Sequence, residues 1–257
     1  MTYKLYNAPQ STCSQRVRFV LNAKNLPFDE VHLNLLAGDQ LAPAYLRLNP
    51  NGVVPTLDHD GKIIVDSSVI LEYLDEVAPE PSFTPTSAVA RAQMRALMHF
   101  IDEMPAAAVR VPTFNLAFLP GFQRMSREEF VAFAESKPLR REFMLGMGQA
   151  GFPHSEMDAA LARLRRSYER MEREIEASGG PWLLGERMTL ADIAVMPVLV
   201  RMQDLNLPSW HDLPHVVAWL GHIRAHDAYA PTYYSGSLLS ERFPIASGPH
   251  AGPGTSV

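Results

Sequence analysis

Hydrophobic and polar positions divide the chain into two parts that differ in period. In the first part, short apolar runs predict strands at 3–6, 30–34, 54–57 and 62–65. The pair Asp60-Gly61 between the last two runs favours a tight hairpin. Apolar residues three and four positions apart predict one helix that begins at Ser14 and another, capped helix after Asp66. This order of elements predicts a small mixed sheet with helices on its faces.

The second part of the chain has a helical pattern throughout. A stripe of apolar residues spaced four and three apart runs from Met157 to Ile175, which predicts a surface helix packed on one side. Thr189 and Asp192 form a capping box before an almost wholly apolar run, which predicts a central helix. We therefore predict an α/β domain at 1–79, a proline-rich linker at 80–87, an all-α domain at 88–235 and a flexible tail at 236–257.

Composition and charge argue against several classes of binding partner and cellular location. The formal net charge is −5 and no cluster of basic residues is present, which argues against a nucleic-acid partner. No apolar run approaches the roughly 18 residues of a membrane span, and the N-terminus lacks the apolar region of a secretory signal. The 257 residues include 1 cysteine, which excludes an internal disulfide framework and fits a reducing compartment. We therefore expect a cytoplasmic protein that does not bind membranes.

A hydroxyl-rich turn, Ser11-Thr12-Cys13-Ser14, lies at the start of the first predicted helix. Free backbone N–H groups and the dipole at a helix N-terminus favour an anion. A carboxylate, a phosphate or a thiolate held there would also meet a serine hydroxyl. The same pattern is typical of an ordinary helix cap made by Ser14 or Cys13. The local sequence leaves both interpretations open.

Two further segments of the first domain suggest binding sites. Val54-Pro55 follows a glycine turn and enters a strand, which favours a cis peptide bond. Such a bond would present the backbone of Val54 to an extended peptide, although an ordinary loop entering an edge strand has the same pattern. Asp66-Ser67 begins a helix whose N–H groups would hold a carboxylate, and the Asp66 carboxylate would meet an ammonium group. Together with the hydroxyl-rich turn, these sites suit a short zwitterionic peptide.

The order and spacing of four segments resemble the thioredoxin-fold domain of cytosolic glutathione transferases; the segments are YKLY, STCSQRVRFVL, LNPNGVVPTL and DSSVILEYLDE. The segment at 182–197 resembles the signature of that family's helical domain. The resemblance implies an α/β thioredoxin-like N-terminal domain followed by an all-α C-terminal domain, the glutathione transferase fold. It also implies glutathione as co-substrate without a metal, and an apolar aromatic electrophile bound by the second domain. It further implies a homodimer, or a heterodimer with a related subunit.

The same resemblance implies roles for individual residues. The run STCSQRVR resembles the zeta-class pattern, in which the first serine, here Ser11, stabilises the glutathione thiolate. If the chain behaved like the omega-like thiol transferases, Cys13 would instead form a mixed disulfide with glutathione. Glutathione would lie against Thr12, Gln40, Val54, Pro55, Asp66 and Ser67. Phe114 and Phe118 are candidates for the electrophile pocket, with core packing as the alternative.

A long segment at 126–164 resembles the insertion of the bacterial β-aryl-etherases, a branch of the same family. In that alignment the activating serine is Ser14 rather than Ser11. The resemblance implies glutathione-dependent cleavage of a β-aryl ether. One alternative is a zeta-like isomerase or a dehalogenase, although Val53 stands where the zeta pattern has a glutamine. The other is a non-catalytic binding protein with the same fold.

Four histidines are candidate metal ligands, and two arginines are candidate contacts to a carboxylate. Two pairs of histidines have the i, i+4 spacing of metal ligands, His211 with His215 and His222 with His226. No third ligand accompanies them, so we predict no metal site. Arg16 and Arg18 are interpreted either as a solvated helix face or as a carboxylate clamp between the domains.

Overall fold

The computed structural model describes residues 2–245, and its N-terminal domain contains a four-stranded sheet. The strands are β1 (Tyr3–Asn7), β2 (Phe28–His32), β3 (Thr56–His59) and β4 (Lys62–Val65). Their order across the sheet is β2-β1-β3-β4. β1 and β2 run parallel, whereas β3 is antiparallel to both β1 and β4. The predicted mixed sheet is confirmed.

Three helices flank this sheet: α1 (Thr12–Ala23), α2 (Pro43–Leu46) and α3 (Ser67–Val77). Val17 of α1 is fully buried together with Leu5 and Leu57 of the strands, because alternate strand residues and one helix face meet in the same core. Asp60 and Gly61 have φ values of 50° and 81°, as the tight turn between β3 and β4 requires.

The rest of the described chain is helical. The helices are α4 (Ala88–Glu103), α5 (Pro105–Ala108), α6 (Arg110–Thr113), α7 (Leu119–Phe122), α8 (Arg127–Glu135), α9 (Arg141–Met147), α10 (His154–Ser178), α11 (Leu190–Asp204), α12 (Pro214–Ala225) and α13 (Tyr229–Thr232). A π-helical stretch at Phe114–Phe118 joins α6 to α7. Across residues 2–245, none of the helices is both long enough and apolar enough to cross a membrane.

Helix α11 is the centre of the helical domain. Its residues from Leu190 to Met202 are all buried. The Asp192 carboxylate accepts hydrogen bonds from the N–H of Thr189 at 2.8 Å, the N–H of Leu183 at 3.0 Å and Nε1 of Trp219 at 2.9 Å. The prediction of a central helix that begins with a capping box is confirmed.

One continuous apolar core extends through both domains. It contains Leu5 and Leu57 of the sheet as well as Trp219 of α12. Phe83, which lies in the predicted linker, is 5% exposed and belongs to the same core. The linker is therefore packed against both domains instead of spanning a gap between them.

A separate apolar cluster forms where the chain has its insertion. Its buried members are Phe122, Phe130, Ala134, Met144 and Met147, and more phenylalanines pack around them. Pro138, in the loop between α8 and α9, lies against Gly52 of the N-terminal domain, where an added Cβ would meet it at 3.1 Å. The insertion thus reaches across to the loop that precedes Val54.

Two predicted boundaries are wrong. Helix α1 begins at Thr12 rather than Ser14, because Ser11 caps it. Residues 236–245 pack onto the protein instead of forming a flexible tail: Leu239 is fully buried, and its N–H donates to the Asp204 carboxylate at 2.7 Å. The remainder of the predicted tail, 246–257, lies outside the described residues.

Candidate active site

A cavity of about 730 Å³ lies between the two domains. Its lining comes from stretches within 8–13, 32–40 and 51–54 of the N-terminal domain, within 109–122 and 133–144 of the helical domain, and within 234–243 near the C-terminus. The volume is in the range of small-molecule sites, and a ligand bound there would touch both domains.

The start of helix α1 forms one end of this cavity. Ser11, Thr12 and Cys13 all line it. Ser11 has extended backbone angles and its Oγ accepts the N–H of Ser14 at 3.3 Å, so it is the helix cap. Because the oxygen accepts this bond, the hydroxyl hydrogen remains available to donate to a ligand.

Ser14 lies apart from the cavity. It is fully buried in the first turn of α1, and its Oγ accepts the N–H of Ala8 at 3.4 Å. The prediction that Ser14 is the boundary cap is therefore wrong, and of the two candidate serines it is Ser11 that lines the cavity.

The Val54–Pro55 peptide bond is cis, as predicted. Val54 lines the cavity, and Pro55 precedes the first residue of β3. The preceding carbonyl, that of Val53, accepts the Tyr45 hydroxyl at 2.6 Å and Nδ2 of Asn49 at 2.9 Å. These two buried side chains hold the loop in place beside Val54, which lines the cavity.

Asp66 and Ser67 lie at the start of α3 and do not line this cavity. The Asp66 carboxylate caps the helix by accepting the N–H groups of Ser68 at 2.9 Å and Val69 at 3.2 Å. Ser67 is 6% exposed, and its Oγ accepts a hydrogen bond from Arg16 at 3.4 Å.

Arg16 also forms an ion pair with Asp102 of α4 at 2.5 Å. Arg16 and Arg18 are almost completely buried, which overturns the solvated-face interpretation. Because the ion pair joins α1 to α4, Arg16 is a carboxylate clamp between the two domains, which was the other interpretation.

Gln40 lines the cavity and is 4% exposed. Its Nε2 donates to the carbonyl oxygen of Leu35 at 3.2 Å, whereas its Oε1 has no hydrogen-bond donor within residues 2–245. A buried amide oxygen without a donor favours a ligand that brings an N–H group.

Aromatic side chains form the wall on the helical side. The four that line the cavity from the helical domain are Phe114, Phe118, Phe122 and Phe133. Phe114 and Phe118 meet edge to face with ring centroids 5.1 Å apart, and Phe118 contacts Phe243 in the same way at 5.2 Å. The two predicted substrate-binding phenylalanines thus lie together, with a third ring from the C-terminal segment.

Sequence reasoning missed the cationic lining of the cavity. The cations are Arg110, Lys137, Arg140, Arg201 and Arg242, and Asp39 is the acidic residue of the described lining. They are spread over the sequence, so no local pattern marks them. The charged lining of the cavity is therefore mainly positive, whereas the formal net charge of the whole chain is −5.

The environment of four of these residues disfavours their charged forms. Burial lowers the pKa of Arg110, and it lowers the pKa of Arg140 with a contribution from the charge of Arg110. Burial lowers the pKa of Lys137 to about 8 and that of Arg201 to about 10. Charge on Cys13, which lines the same cavity, raises the pKa of Arg110, Arg140 and Arg201.

Sequence comparisons identify the family. The family described as "Glutathione S-transferase, N-terminal domain" matches residues 5–82, and "Glutathione S-transferase, C-terminal domain" matches residues 132–227. Protein LigF of Sphingobium sp. (strain NBRC 103272 / SYK-6) is 30% identical over 237 residues, which cover 89% of this chain and 91% of LigF. The chain belongs to the glutathione S-transferase family. A zeta-class glutathione S-transferase of Euphorbia esula is 34% identical over 251 residues, covering 96% of this chain and 94% of that protein.

Structural comparison confirms the predicted glutathione transferase fold. The crystal structure of the β-etherase LigF from Sphingobium sp. strain SYK-6 matches with a TM-score of 0.79 at 28% identity, covering 91% of this chain and 99% of that chain. The family uses glutathione as a substrate. Across residues 2–245 no group of three or more His, Cys, Asp or Glu side chains is arranged to hold a metal ion.

Proposed function

We propose that this glutathione transferase uses the Ser11 hydroxyl to stabilise the glutathione thiolate, which attacks an aromatic electrophile held by the helical domain. The observation that carries the proposal is that one cavity is lined by Ser11, Thr12 and Cys13 at one end and by phenylalanines of the helical domain elsewhere. A free thiol has a pKa of about 8.5, so a hydroxyl donor and a helix N-terminus at the sulfur raise its thiolate fraction near neutral pH.

Glutathione would lie extended along the N-terminal domain. Its cysteinyl backbone would pair with Val54, next to Pro55, in the manner of an added strand. Its γ-glutamyl carboxylate would meet the N–H and hydroxyl of Ser67, and its ammonium group would meet Asp66. The free Oε1 of Gln40 would accept an N–H group nearer the other end of the peptide. In this pose the sulfur lies at the start of α1, between the N–H groups of Thr12 and Cys13 and the Ser11 hydroxyl.

The electrophile we assign is a β-aryl ether. The glutathione sulfur forms a bond to the carbon that carries the aryloxy group, and the carbon–oxygen bond breaks with its electron pair leaving on a phenolate. The thiol proton passes to solvent, and solvent protonates the phenolate. The products are a glutathione thioether and a phenol, with no change of oxidation state that would need a further reactant. The similarity to the β-etherase LigF, over nearly its whole length, supports this assignment.

A second candidate is the isomerisation of a maleylacetone-type substrate. The thiolate would add to the double bond, the former double bond would rotate, and glutathione would leave unchanged. The run STCSQRVR and the 34% identity with a zeta-class transferase support this candidate. The two reactions differ in whether glutathione is consumed.

Incubation with glutathione and three substrates tests the proposal: 2-phenoxyacetophenone, 1-chloro-2,4-dinitrobenzene and maleylacetone. Chromatography and mass spectrometry should find phenol and S-phenacylglutathione in equal amounts from the first. Isomerised maleylacetone without loss of glutathione, and no cleavage of the ether, would support the second candidate. If none of the three substrates is converted, both are wrong and the chain is a binding protein.

A further inference from the structure

Lys137 is a buried cation in the wall of the cavity. It lies in the loop between α8 and α9, is 7% exposed, and its Nζ has no hydrogen-bond acceptor within residues 2–245. Its Nζ lies over the ring of Phe133, 3.7 Å from the ring centroid. A buried ammonium group without an acceptor is strongly disfavoured unless a ligand supplies one.

Arg110 and Arg140 line the same cavity and also lack a carboxylate partner in the described chain. Arg140 donates only to the carbonyl oxygen of its neighbour Leu139, at 3.4 Å. Both arginines line the cavity together with Cys13 and Lys137, and charge on Cys13 raises the pKa of each guanidinium group.

Three other buried or partly buried cations have carboxylate partners. Arg16 pairs with Asp102 at 2.5 Å, Lys24 with Asp75 at 2.7 Å, and Arg165 with Asp212 at 2.6 Å. Arg18 and Arg201 are also buried without a carboxylate partner, but both donate to protein oxygens, among them the carbonyl oxygens of Thr232 and Gln10. Within residues 2–245, Arg110, Lys137 and Arg140 have no carboxylate partner and Lys137 has no hydrogen-bond acceptor; we call these three residues the cation cluster. The partner that fits it is an anion that enters with the ligand.

The two carboxylates of glutathione are poor candidates for that anion. In the proposed pose the γ-glutamyl carboxylate lies at Ser67 and the glycyl end lies toward Gln40, both in the N-terminal domain. The cation cluster belongs to α6 and to the loop between α8 and α9 in the helical domain. The aromatic wall of Phe114 and Phe133 belongs to the same region, so the anion and an aromatic ring would belong to one molecule.

We propose that the electrophile of this enzyme is an aromatic carboxylate, with its ring against the phenylalanine wall and its carboxylate at the cation cluster. A carboxylate suits this cluster because a guanidinium group binds it through two parallel hydrogen bonds, while Lys137 adds a third donor. The proposal rests on the proposed function, since it assumes that this cavity holds the electrophile. Binding of the carboxylate itself does not require turnover.

Binding of an unreactive pair of probes is the first measurement. Isothermal titration calorimetry of the full chain, saturated with S-methylglutathione, compares 4-phenoxybenzoate with its neutral analogue 4-phenoxybenzamide. We expect the benzoate to bind at least about tenfold more tightly, since one bidentate charged contact is enough to produce such a ratio. Equal affinities, or no binding of the benzoate, would overturn the proposal.

Neighbouring arginines provide a matched control for the cluster. Arg140 lines the cavity, whereas Arg141 is exposed and pairs with Glu135 and Glu142. Arg140→Gln and Lys137→Met should each weaken benzoate binding about tenfold and leave benzamide binding unchanged. Arg141→Gln should change neither. Benzoate affinity that survives in both cluster variants would show that the anion binds elsewhere, and would refute the assignment.

Kinetics with glutathione separate this proposal from the proposed function. The substrates are 4-(phenoxyacetyl)benzoate and 4-(phenoxyacetyl)benzamide, which differ only in charge. We expect the lower KM for the benzoate and loss of that preference in Arg140→Gln. If neither ether is cleaved but the benzoate probe still binds through the cluster, the proposed reaction fails and the anion site stands. If both ethers are cleaved with equal KM, the carboxylate proposal is wrong. If Arg140→Gln lowers kcat equally for both ethers, the cluster serves the leaving phenolate and the carboxylate proposal is also wrong.

Discussion

Ser11 and Ser14 lie three residues apart and have different surroundings. Ser11 caps α1 and lines the cavity, whereas Ser14 is fully buried beside Ala8. We expect Ser11→Ala to lower kcat about 10²-fold, because the thiolate loses its hydroxyl donor. The same change should lower the free energy of unfolding by about 1 kcal/mol through loss of the cap. Steady-state kinetics with 2-phenoxyacetophenone and thermal denaturation measure the two effects.

Ser14→Ala is the matched control for that experiment. Its hydroxyl does not line the cavity, so kcat should stay close to that of the unmodified protein while the melting temperature falls modestly. Turnover that is lost in Ser14→Ala and retained in Ser11→Ala would show that the etherase-like alignment places the activating serine correctly and that our assignment is wrong.

Two buried lysines provide opposite responses to the same substitution. Lys24 is 6% exposed, and its Nζ contacts the Asp75 carboxylate at 2.7 Å and the carbonyl oxygens of Ala78 and Pro81 at 2.6 and 2.7 Å. Lys137 is similarly buried but has no acceptor in the described chain.

We expect Lys24→Met to destabilise the fold by about 3 kcal/mol, since it leaves a buried carboxylate unpaired. Lys137→Met should stabilise it by about 1 kcal/mol or more, because it removes an unsatisfied charge. Urea denaturation monitored by circular dichroism measures both changes, and destabilisation by Lys137→Met would contradict the absence of a partner.

The effect of Lys137→Met should depend on pH. Burial lowers the pKa of Lys137 in the folded protein from its ordinary value of 10.5 to about 8. Below pH 8 the lysine is protonated in the folded and unfolded states alike. The variant then exceeds the unmodified protein in free energy of unfolding by the largest amount. Between about pH 8 and about pH 10 the unfolded state retains a proton that the folded state has lost, so the unmodified protein gains stability by at most about 1.4 kcal/mol per pH unit. Denaturation of both proteins from pH 7 to pH 10 should show the difference shrinking; a constant difference would contradict the lowered pKa.

At the scale of elements, two capping boxes in this chain differ in burial. In α8, Ser126 and Glu129 exchange hydrogen bonds at the surface. In α11, Asp192 is fully buried and also accepts Leu183 N–H and Trp219 Nε1. Asp192→Asn should lower the free energy of unfolding by about 3 kcal/mol, because its amide group would face backbone and indole donors. Glu129→Gln should cost under about 1 kcal/mol, since glutamine serves in capping boxes. Thermal denaturation of both variants measures the two losses of stability. Similar losses would show that burial of the capping box does not affect its contribution to stability.

Elements whose determinants lie within a few residues could be predicted from the sequence. The hairpin at Asp60-Gly61, the helix capped by Asp66 and the central helix α11 all depend on local turn chemistry, caps and apolar period. The start of α1 could not be predicted from local sequence alone, because serine is an equally good helix cap at position 11 and at position 14. The contact between Ser14 and Ala8 buries Ser14 and leaves the cap to Ser11.

The lining of the cavity could not be predicted from the sequence, because it is formed by residues that lie far apart along the chain. Arg110, Lys137 and Arg140 line one cavity although Arg110 is distant from the other two along the sequence, whereas Phe114 and Phe118 were already candidates for the electrophile pocket. The segment at 236–245 reads as a polar tail, yet Leu239 is held by Asp204, which lies 35 residues earlier in the chain. Such long-range partners decide which weakly patterned segments become ordered.

At the scale of the whole molecule, the apolar core and several polar contacts cross between the domains. Arg16 reaches Asp102, and Arg18 donates to the carbonyl oxygen of Thr232 at 3.0 Å. Gln15 donates to the carbonyl oxygen of Ser237 at 3.0 Å, which ties the C-terminal segment to α1. Because the cavity is lined by residues of both domains, its geometry depends on both domains staying folded together.

A substitution in the sheet should therefore unfold the helical domain as well. Leu57 of β3 is fully buried, whereas the three tryptophans, Trp182, Trp210 and Trp219, all lie in the helical domain. Leu57→Ala should lower the free energy of unfolding by about 2–5 kcal/mol. In a single cooperative unit, tryptophan fluorescence and far-ultraviolet circular dichroism should report the same lowered midpoint. Val89→Ala, at a position 68% exposed on α4, serves as the control and should leave both midpoints unchanged. A fluorescence midpoint that stays at the unmodified value while the circular dichroism midpoint falls would show that the two domains unfold independently.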